Sequence, residues 1–376
     1  MRKSLKTRRE EWPLFFLCLS AALWGLALIF SATRYNAELH SLPGKQAIAL
    51  AVGVGACLVL SRLDILDLMD KLWWLLPVVN VGLLLLLVPL GNDDGTGNKS
   101  WVALPGGFNF QPAEVVKLCF LLLLALQLSH LRERGLNRPV AILLLGGHTL
   151  ALCGLLYAVS GDIGMVAVYL AMYLVMLWAA GVHPLWLLGQ VAAGVGVVAL
   201  LWSRLPEYVR LRFQVVVDHE LDPLGKGFQQ ERSLLAIGSG QITGQGYLHG
   251  TQTQNPSASA LPARHTDFIF SVAGEELGLV GCVLLLALLG AIVLRCVALA
   301  RRQERFFAAC ICAGVGGMLG VQTILNIAMC LYTAPVVGVT LPFFSYGGSS
   351  LISAFVGVGL VMALARRGLE GSGRWR

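Results

Sequence analysis

The chain has 376 residues, of which 56% are hydrophobic and only 13% are charged. Its mean hydropathy is +0.73, whereas a typical soluble domain has about 25% charged residues. This composition excludes an ordinary soluble domain and predicts a polytopic membrane protein. We attribute the formal net charge of +7 to membrane topology and to contact with anionic membrane lipids. No nucleic-acid partner is expected.

Apolar segments recur along the whole chain, and each is near the roughly 20 residues that a helix needs to cross a bilayer. We expect an all-α bundle of about ten transmembrane helices within a single domain, 1–376. A polar loop, 203–267, separates the seventh span from the eighth, and loops of this length are usually functional or disordered. The predicted spans are 13–30, 45–62, 72–90, 113–130, 139–159, 163–181, 184–202, 268–294, 306–331 and 349–365.

The basic residues predict how the spans are oriented. Cytoplasmic loops near helix ends carry the excess of Lys and Arg. With ten alternating spans, all the basic clusters fall on one side, so both termini are predicted to be cytoplasmic and the loop 203–267 extracytoplasmic. The first apolar run is long for a signal peptide and many spans follow it, so we expect it to be retained. The basic clusters are 2–9, 132–138, 295–305 and 366–376.

The end of the polar loop holds the most informative residues of the chain. Arg264, His265 and Asp267 lie at the edge of an apolar run, Phe268 to Ala298, that is long enough to cross a bilayer. An ionisable group at a membrane boundary is costly to leave unpaired, so it marks a candidate functional site. Asp267 is therefore the first candidate for chemistry.

Two further carboxylates, Glu275 and Glu276, follow within the same apolar run. They would lie about 12 Å along a helix from Asp267 at 1.5 Å per residue. At least one of them is expected to face a cavity or a cation. A rotation of about 100° per residue places Glu275 within roughly 80° of Asp267, which makes it the better candidate for the same face.

The stretch before the fourth span carries a second group of polar residues. Pro112 with Glu114 two residues later is typical of a helix start. Lys117 lies at i+3 from Glu114, where an ion pair can form. A capped helix with a neutralised pair explains these residues as well as a binding site does. Trp101 is either an interfacial aromatic residue or part of the same site.

Two turns resemble the beginnings of helices. Asp162 lies between the fifth and sixth spans, and we interpret it as a helix N-cap. Before the last span, 347–350 has the letters GGSS. This pattern places several N–H donors at a helix N-terminus, where an anion such as phosphate is favoured. Ser349 is alternatively a simple N-cap.

The polar loop itself shows two patterns. The segment 205–217 predicts an amphipathic, basic helix at the membrane interface. The segment 238–250 contains five glycines, which allow close backbone approach and positive φ angles.

Taken together, these segments resemble the SEDS (shape, elongation, division and sporulation) family of bacterial cell-wall synthesis. Four blocks of the sequence carry the resemblance, and they cover most of the chain. They are Trp101 with Phe110-Gln111-Pro112-Ala113-Glu114 and Lys117; Asp222-Pro223-Leu224-Gly225 with Ala236-Ile237-Gly238-Ser239-Gly240; His265-Thr266-Asp267-Phe268-Ile269-Phe270 with Gly274-Glu275-Glu276-Leu277-Gly278; and Leu341-Pro342 to Ser349.

The resemblance implies a ten-helix peptidoglycan glycosyltransferase that acts in cell elongation or division. Such an enzyme would polymerise lipid II, releasing undecaprenyl pyrophosphate, and would work with a class B penicillin-binding protein that crosslinks the product. The resemblance also makes Asp267 the proposed catalytic residue.

Glycosyl transfer needs a base for the proton of the attacking sugar hydroxyl and donors that stabilise the departing pyrophosphate. Asp267 would be the base. A divalent cation, Mg²⁺ or Mn²⁺, is an expected cofactor because it commonly bridges phosphates and one or two carboxylates. The candidates for substrate binding are Lys117, Glu114, Arg210, Arg212, Arg264, His265, Trp101 and Ser349, and the candidates for supporting roles are Glu275, Glu276 and Asp162.

Two other classes of function fit some of these residues. Intramembrane carboxylates and a polar loop would also suit a flippase or transporter of a lipid-linked sugar. No inverted repeat is evident in the spacing of the spans, which weighs against transport. A non-catalytic scaffold for a penicillin-binding protein is less consistent with intact motifs around Asp267 and Glu275.

Overall fold

A computed structural model of the chain describes residues 11–92, 98–204, 206–218, 221, 226–257 and 260–367. The basic ends 2–9 and 368–376 and the motif 222–225 lie outside the described residues.

The described chain is largely helical, and its helices follow the apolar segments of the sequence. Pro occupies the first turn of several spans, where its missing N–H costs nothing. The helices are α1 Trp12–Thr33, α2 Leu42–Leu60, α3 Ile65–Leu72, α4 Leu75–Leu85, α5 Leu87–Leu90, α6 Pro112–Arg134, α7 Pro139–Ser160, α8 Ile163–Ala179, α9 Pro184–Leu201, α10 Glu207–Val217, α11 Lys226–Ser239, α12 Ile269–Ala300, α13 Phe306–Cys330 and α14 Gly348–Arg367.

The prediction of an all-α polytopic bundle is confirmed. Within the described residues, eight helices are long and apolar enough to cross a membrane, and α3 with Leu75–Leu90, bent by 78°, makes a ninth. The predicted sixth span corresponds to α8, which has 17 residues. That helix is about 26 Å long at 1.5 Å per residue, shorter than a bilayer core of about 30 Å.

A small antiparallel sheet, not predicted from the sequence, precedes α6. It consists of β1 Gly91–Asn92, β2 Trp101–Leu104 and β3 Phe108–Phe110 in the order β1-β2-β3. Val102 pairs with Phe110 in its register. The turn between β2 and β3 contains Gly106 and Gly107, both at positive φ, where glycine lacks the steric cost that other residues have.

Burial is uneven among the spans. About two thirds of the most apolar part of α6, α13 and α14 is buried, whereas the corresponding part of α9 has no buried residue. Since lipid tails are as apolar as leucine side chains, helices associate in a bilayer through close packing rather than through the hydrophobic effect. The centre of the bundle is therefore formed by α6, α13 and α14, which carry the buried polar residues Glu114, Lys117 and Asn326.

The long helix α12 is broken at Gly278, which has φ 66° and ψ −165°. The loop segment 240–246 supplies the hydrogen bonds that the helix loses at this point. Backbone N–H groups of Gln245 and Gly246 donate to the carbonyls of Glu275 and Glu276 at 2.9 and 3.0 Å. In the other direction, the N–H groups following the break, those of residues 279 and 280, donate to the carbonyls of residues 241 and 242 at 2.9 and 3.1 Å.

This docking depends on glycine at the points of closest approach. A Cβ added to Gly240 would collide with the carbonyl oxygen of Gly274, and one added to Gly244 would collide with the carbonyl of Glu276. The glycines of the segment 238–250 therefore allow the close backbone approach that the sequence predicts. Because a backbone group without a partner costs several kcal/mol in a bilayer, the loop is part of the membrane bundle.

We expect Gly240→Ala to lower the unfolding temperature of the purified protein, because its Cβ has no room beside Gly274. Gly238→Ala is the matched control: it lies two residues away, in α11, with nothing within 4 Å of its added Cβ. Alanine also has the higher helix propensity, so the control should be as stable as the wild type or more so. Thermal unfolding in detergent compares the two, and equal stability would contradict the proposed docking.

Candidate active site

The candidate catalytic residue, Asp267, lies in the turn 262–268 that precedes α12, and it is partly exposed. Three consecutive carbonyl groups of this turn, those of residues 265–267, accept hydrogen bonds from other parts of the chain. The donors are the N–H of Tyr346 to His265 at 2.8 Å, the hydroxyl of Ser345 to Thr266 at 2.6 Å and the amide Nδ2 of Asn326 to Asp267 at 2.8 Å. The backbone that carries the carboxylate is thus fixed from two sides.

The segment 341–350 is itself held by Gln46 of α2. The amide of Gln46 donates from Nε2 to the carbonyl of Ser345 and accepts at Oε1 from the N–H of Gly347, both at 3.1 Å. Gln46 is buried. Sequence reasoning missed it, although a glutamine within an apolar span is a polar group that needs a partner.

The carboxylate of Asp267 faces the loop between α13 and α14. Gly338 in this loop has φ +73°, and a Cβ at this residue would lie 4.0 Å from Oδ2 of Asp267. The preceding carbonyl, that of Val337, packs directly on Gly164 in the first turn of α8. This loop therefore joins the turn of Asp267 to the helix start that carries Asp162.

The predicted ion pair between Glu114 and Lys117 is confirmed. Nζ of Lys117 lies 2.6 Å from Oε2 of Glu114, and the two side chains are 1% and 2% exposed. An ammonium has three N–H donors, and one of them is given to Glu114. The pair lies in the first turns of α6, and the hydroxyl of Ser353 on α14 donates to the carbonyl of Glu114 at 2.9 Å.

Asp162 is confirmed as the N-cap of α8, where it accepts from the N–H of Met165 at 2.9 Å. The same side chain accepts from Ser100 Oγ and Gln111 Nε2, both at 3.3 Å. Burial raises the pKa of Asp162, and the nearby Glu114 raises it further. The cap therefore ties the sheet to α8 and brings Asp162 close to the ion pair.

The structure gives Ser349 a different partner from the one expected of an N-cap. Its hydroxyl accepts from the N–H of Gln111 at 3.0 Å and donates to the carbonyl of Asn109 at 3.2 Å. Trp101 begins β2, is partly buried and pairs with Asn92. Both residues therefore help to seat the sheet on the bundle, and their contact with substrate stays a prediction.

Arg264 is buried, and its guanidinium is surrounded by backbone carbonyl groups and one aromatic ring. The ring is that of Tyr35, whose centroid lies 3.8 Å from the guanidinium carbon. These contacts give Arg264 a role in organising the loop, while its binding of substrate stays a prediction. The carbonyl acceptors are those of Leu261 at 2.7 Å, Gln252 at 3.0 Å, Thr253 at 2.5 Å and Asn255 at 3.0 Å.

Glu275 holds the same loop segment from the opposite side. Its carboxylate accepts four hydrogen bonds from residues 251–253, and the side chain is fully buried. The rotation estimate that related it to Asp267 does not apply, because α12 begins at Ile269 and Asp267 lies in the preceding turn. The donors are Thr251 Oγ1 at 3.1 Å, Gln252 N at 2.6 Å, Thr253 N at 2.8 Å and Thr253 Oγ1 at 2.6 Å.

Glu276 is also enclosed by protein groups. Its Oε1 accepts from the hydroxyl of Ser31 on α1 at 2.5 Å and from Nε2 of Gln254 at 3.2 Å. The two glutamates therefore have hydroxyl, amide and backbone donors as partners, although Oε2 of Glu276 is buried without a hydrogen-bond partner among the described residues. A cavity or a cation beside one of them stays a prediction. These donors join the loop 240–257 to α1 and α12.

The structure gives His265, one of the candidates for substrate binding, a largely buried ring. Burial, and to a smaller extent the neighbouring Arg264, lower the pKa of His265 to about 4. The ring is therefore neutral at physiological pH. It packs against Tyr346 with ring centroids 5.8 Å apart, and its Nδ1 is buried without a hydrogen-bond partner among the described residues.

The helix predicted for 205–217 is present as α10, which carries Arg210 and Arg212 and packs against α11. That second helix is fixed to the bundle by Gln230, whose Nε2 donates to the carbonyls of Met329 and Ala334 at 2.9 and 2.8 Å. Both arginines are partly buried, and their binding of pyrophosphate stays a prediction.

The described part of the chain contains no group of three or more His, Cys, Asp or Glu side chains placed to hold a metal ion. The protein by itself thus offers Asp267 as a partly exposed carboxylate and no ready-made ligand set.

Fold and site together define a multi-pass membrane protein whose candidate reacting carboxylate lies at the end of a span. The chain belongs to the FtsW, RodA and SpoVE family, described as cell cycle proteins, whose family model matches residues 12–368. This finding confirms the resemblance noted in the sequence.

Relatives match the chain over most of its length. A probable peptidoglycan glycosyltransferase FtsW of Geobacter metallireducens is 32% identical over 371 residues, which are 95% of this chain and 96% of the relative. The peptidoglycan glycosyltransferase MrdB of Escherichia coli K12 is 38% identical over 276 residues, which are 71% of each chain.

Solved structures share the fold. One solved chain has a TM-score of 0.78 and 32% identity to this one, and the match covers 96% of this chain and 98% of that one. It comes from a study of the structural coordination of polymerization and crosslinking by a peptidoglycan synthase complex. The rod shape determining protein RodA of Thermus thermophilus has a TM-score of 0.68 and 30% identity over the same shares.

We expect Lys117→Met and Glu114→Gln to destabilise the fold strongly, because removing one partner of a buried ion pair costs about 3–5 kcal/mol. The ion pair between Lys71 and Asp67 provides the control. Its Nζ and Oδ2 atoms are 2.8 Å apart, and the two side chains are 68% and 55% exposed. Lys71→Met should change stability by about 1 kcal/mol or less. Thermal unfolding measures all three variants, and equal effects at the two pairs would contradict the structural role.

The charge swap Glu114→Lys with Lys117→Glu separates structure from substrate contact. A swapped pair that folds normally and remains inactive would favour direct contact of Lys117 with pyrophosphate. A fully active swap would reject that contact.

The neutral state of His265 predicts a pH dependence of stability. Its pKa is about 4 in the folded protein against 6.5 for the free side chain. Below pH 6.5 the unfolded chain binds a proton at His265 that the folded chain does not bind. The free energy of unfolding therefore decreases as pH falls from 6.5 towards 4. Unfolding temperatures measured over this range should fall more steeply for the wild type than for His265→Asn, and parallel curves would contradict the buried neutral state.

Proposed function

We propose that this protein polymerises lipid II, with Asp267 as the general base. Its family membership and its similarity to named peptidoglycan glycosyltransferases along most of its length make it a peptidoglycan glycosyltransferase of cell-wall synthesis. It acts as a multi-pass membrane protein.

The observation that carries the proposed mechanism is the fixed turn of Asp267. Its three carbonyl groups are held from α13 and from the segment 341–350, while its carboxylate stays partly exposed. Positioning of this kind can reduce a barrier by several kcal/mol because the reacting groups need no further ordering.

In the proposed step, a sugar hydroxyl of one lipid-linked chain attacks the anomeric carbon of another. Asp267 accepts the hydroxyl proton as the new glycosidic bond forms. The bond between that carbon and the pyrophosphate oxygen breaks, and the electron pair leaves with undecaprenyl pyrophosphate. Glu114 forms a buried ion pair with Lys117, and we assign Lys117, Arg210 and Arg212 to the phosphate groups, whose negative charge they would stabilise.

Mg²⁺ or Mn²⁺ is proposed to bind together with the substrate. Mg²⁺ is usually held by one or two carboxylates plus substrate phosphates, and Asp267 fits that pattern, whereas the described residues offer no ligand set of their own. A bound cation would neutralise charge on the pyrophosphate.

The side of the membrane and the partner are also proposals. The basic clusters support the proposal that both termini are cytoplasmic and that the site lies outside the cytoplasm. A class B penicillin-binding protein is the proposed partner, since one structural relative comes from a synthase complex that polymerises and crosslinks. The transpeptidase would take up the glycan at this side of the membrane.

We expect Asp267→Asn to lower the rate of polymerisation of labelled lipid II by on the order of 10²–10⁴, because the amide keeps the size of the side chain and cannot accept a proton. The variant should still insert and bind lipid II. Glycan products are measured with purified protein in detergent. A wild-type rate in Asp267→Asn would reject the assignment.

A polymerase and a flippase differ in detergent, where no second compartment exists. The wild type should make glycan there and in vesicles offered lipid II on the loop side. If no condition gave polymer and lipid scrambling depended on Asp267, a flippase would replace the proposed enzyme.

A further inference from the structure

Asn326 occupies a central place beside the candidate site. It lies near the end of α13, is 0% exposed, and its Nδ2 donates to two carbonyl groups from different parts of the chain. One acceptor is Asp267 and the other is Val339, each at 2.8 Å. Both N–H groups of the amide are thereby used.

The two acceptors belong to the two segments that meet at the carboxylate. One is the backbone of Asp267 itself. The other follows Gly338, whose added Cβ would lie 4.0 Å from Oδ2 of Asp267. A single side chain therefore fixes both the residue that carries the carboxylate and the loop that faces it.

The carbonyl group of Asp267 lies just before α12, which begins at Ile269. The N–H groups of Ser271 and Val272, in the first turn of α12, donate to the carbonyl of Phe268. The carbonyl of Asp267 lies one residue earlier and accepts from Asn326, with a longer contact from Sγ of Cys330 at 3.6 Å. The amide of Asn326 is itself fully buried, and its hydrogen bond holds the backbone of Asp267 in place.

We propose that Asn326 is a positioning residue that sets the distance between the carboxylate of Asp267 and the substrate hydroxyl. This inference rests on the proposed function, because it assigns to Asn326 the geometry of the same base. The amide touches neither substrate nor the reacting atoms. Its loss should act on the chemical step, since a displacement of about 1 Å of a reacting group can cost on the order of 10²-fold in rate.

Asn326→Leu removes both donors at similar volume, and Asn326→Asp keeps the shape while losing at least one donor. We expect kcat for lipid II polymerisation to fall by on the order of 10–100-fold in Asn326→Leu, with KM within about twofold of the wild type. Asn326→Asp should lose kcat in the same direction while remaining folded.

Asn80 on α4 provides a matched control. It is 2% exposed, and neither atom of its amide has a hydrogen-bond partner among the described residues. Asn80→Leu is therefore the same chemical change at a buried asparagine that positions nothing at the site. It should retain the wild-type kcat and an unfolding temperature at least as high.

A double-mutant cycle with Asp267→Asn distinguishes positioning from a general structural role. If Asn326 acts through the base, the double variant Asn326→Leu with Asp267→Asn should polymerise lipid II almost as fast as Asp267→Asn alone. The residual polymer of both is measured after long incubation. A full additive loss in that background would overturn the inference, as would unchanged kcat in both folded Asn326 variants. Failure of both variants to fold beside a folded Asn80→Leu would also overturn it in favour of a folding role.

The same cycle separates this inference from the proposed function. An active Asp267→Asn would reject the base itself. An inactive Asp267→Asn beside fully active Asn326 variants would reject only the positioning role.

Discussion

The architecture depends on the need to pair every backbone group inside a bilayer. The break of α12 at Gly278 frees carbonyl and N–H groups at membrane depth, and the loop segment 240–246 pairs with four of them. The bonds form only because glycine at 240 and 244 lets the two backbones touch. A loop that composition describes as polar and flexible is therefore an integral part of the membrane bundle, and it adjoins the turn that carries Asp267.

Opposite charges hold the next part of this loop. Glu275 accepts from N–H and hydroxyl groups of residues 251–253, and Arg264 donates to carbonyl groups of residues 252, 253 and 255. Each ion thus finds partners in backbone dipoles, which satisfies a buried charge without a direct ion pair. Arg264, which the sequence suggested for substrate, and Glu275, which it suggested for a supporting role, are used in this way for the loop.

Local patterns predicted the features that depend on neighbours in sequence. The i+3 spacing of Glu114 and Lys117 predicted their ion pair, and the place of Asp162 before a helix predicted its cap. The neutral state of His265 could not be predicted, because it follows from burial that only the folded chain creates. Gln46 and Asn326 were missed for a related reason: the partners of Gln46 lie about 300 residues away, and the turn of Asp267 that Asn326 holds is 59 residues away.

The sequence by itself determined the family, the polytopic all-α bundle and the segment that holds the candidate base, because hydropathy and short motifs are local properties. Only the tertiary structure decided what each buried polar group does. The partners of a buried group are whichever donors and acceptors the packing brings within 3 Å or so. For Glu275 that packing supplied a loop as the partner of its carboxylate, and for the carbonyl of Asp267 it supplied the amide of Asn326.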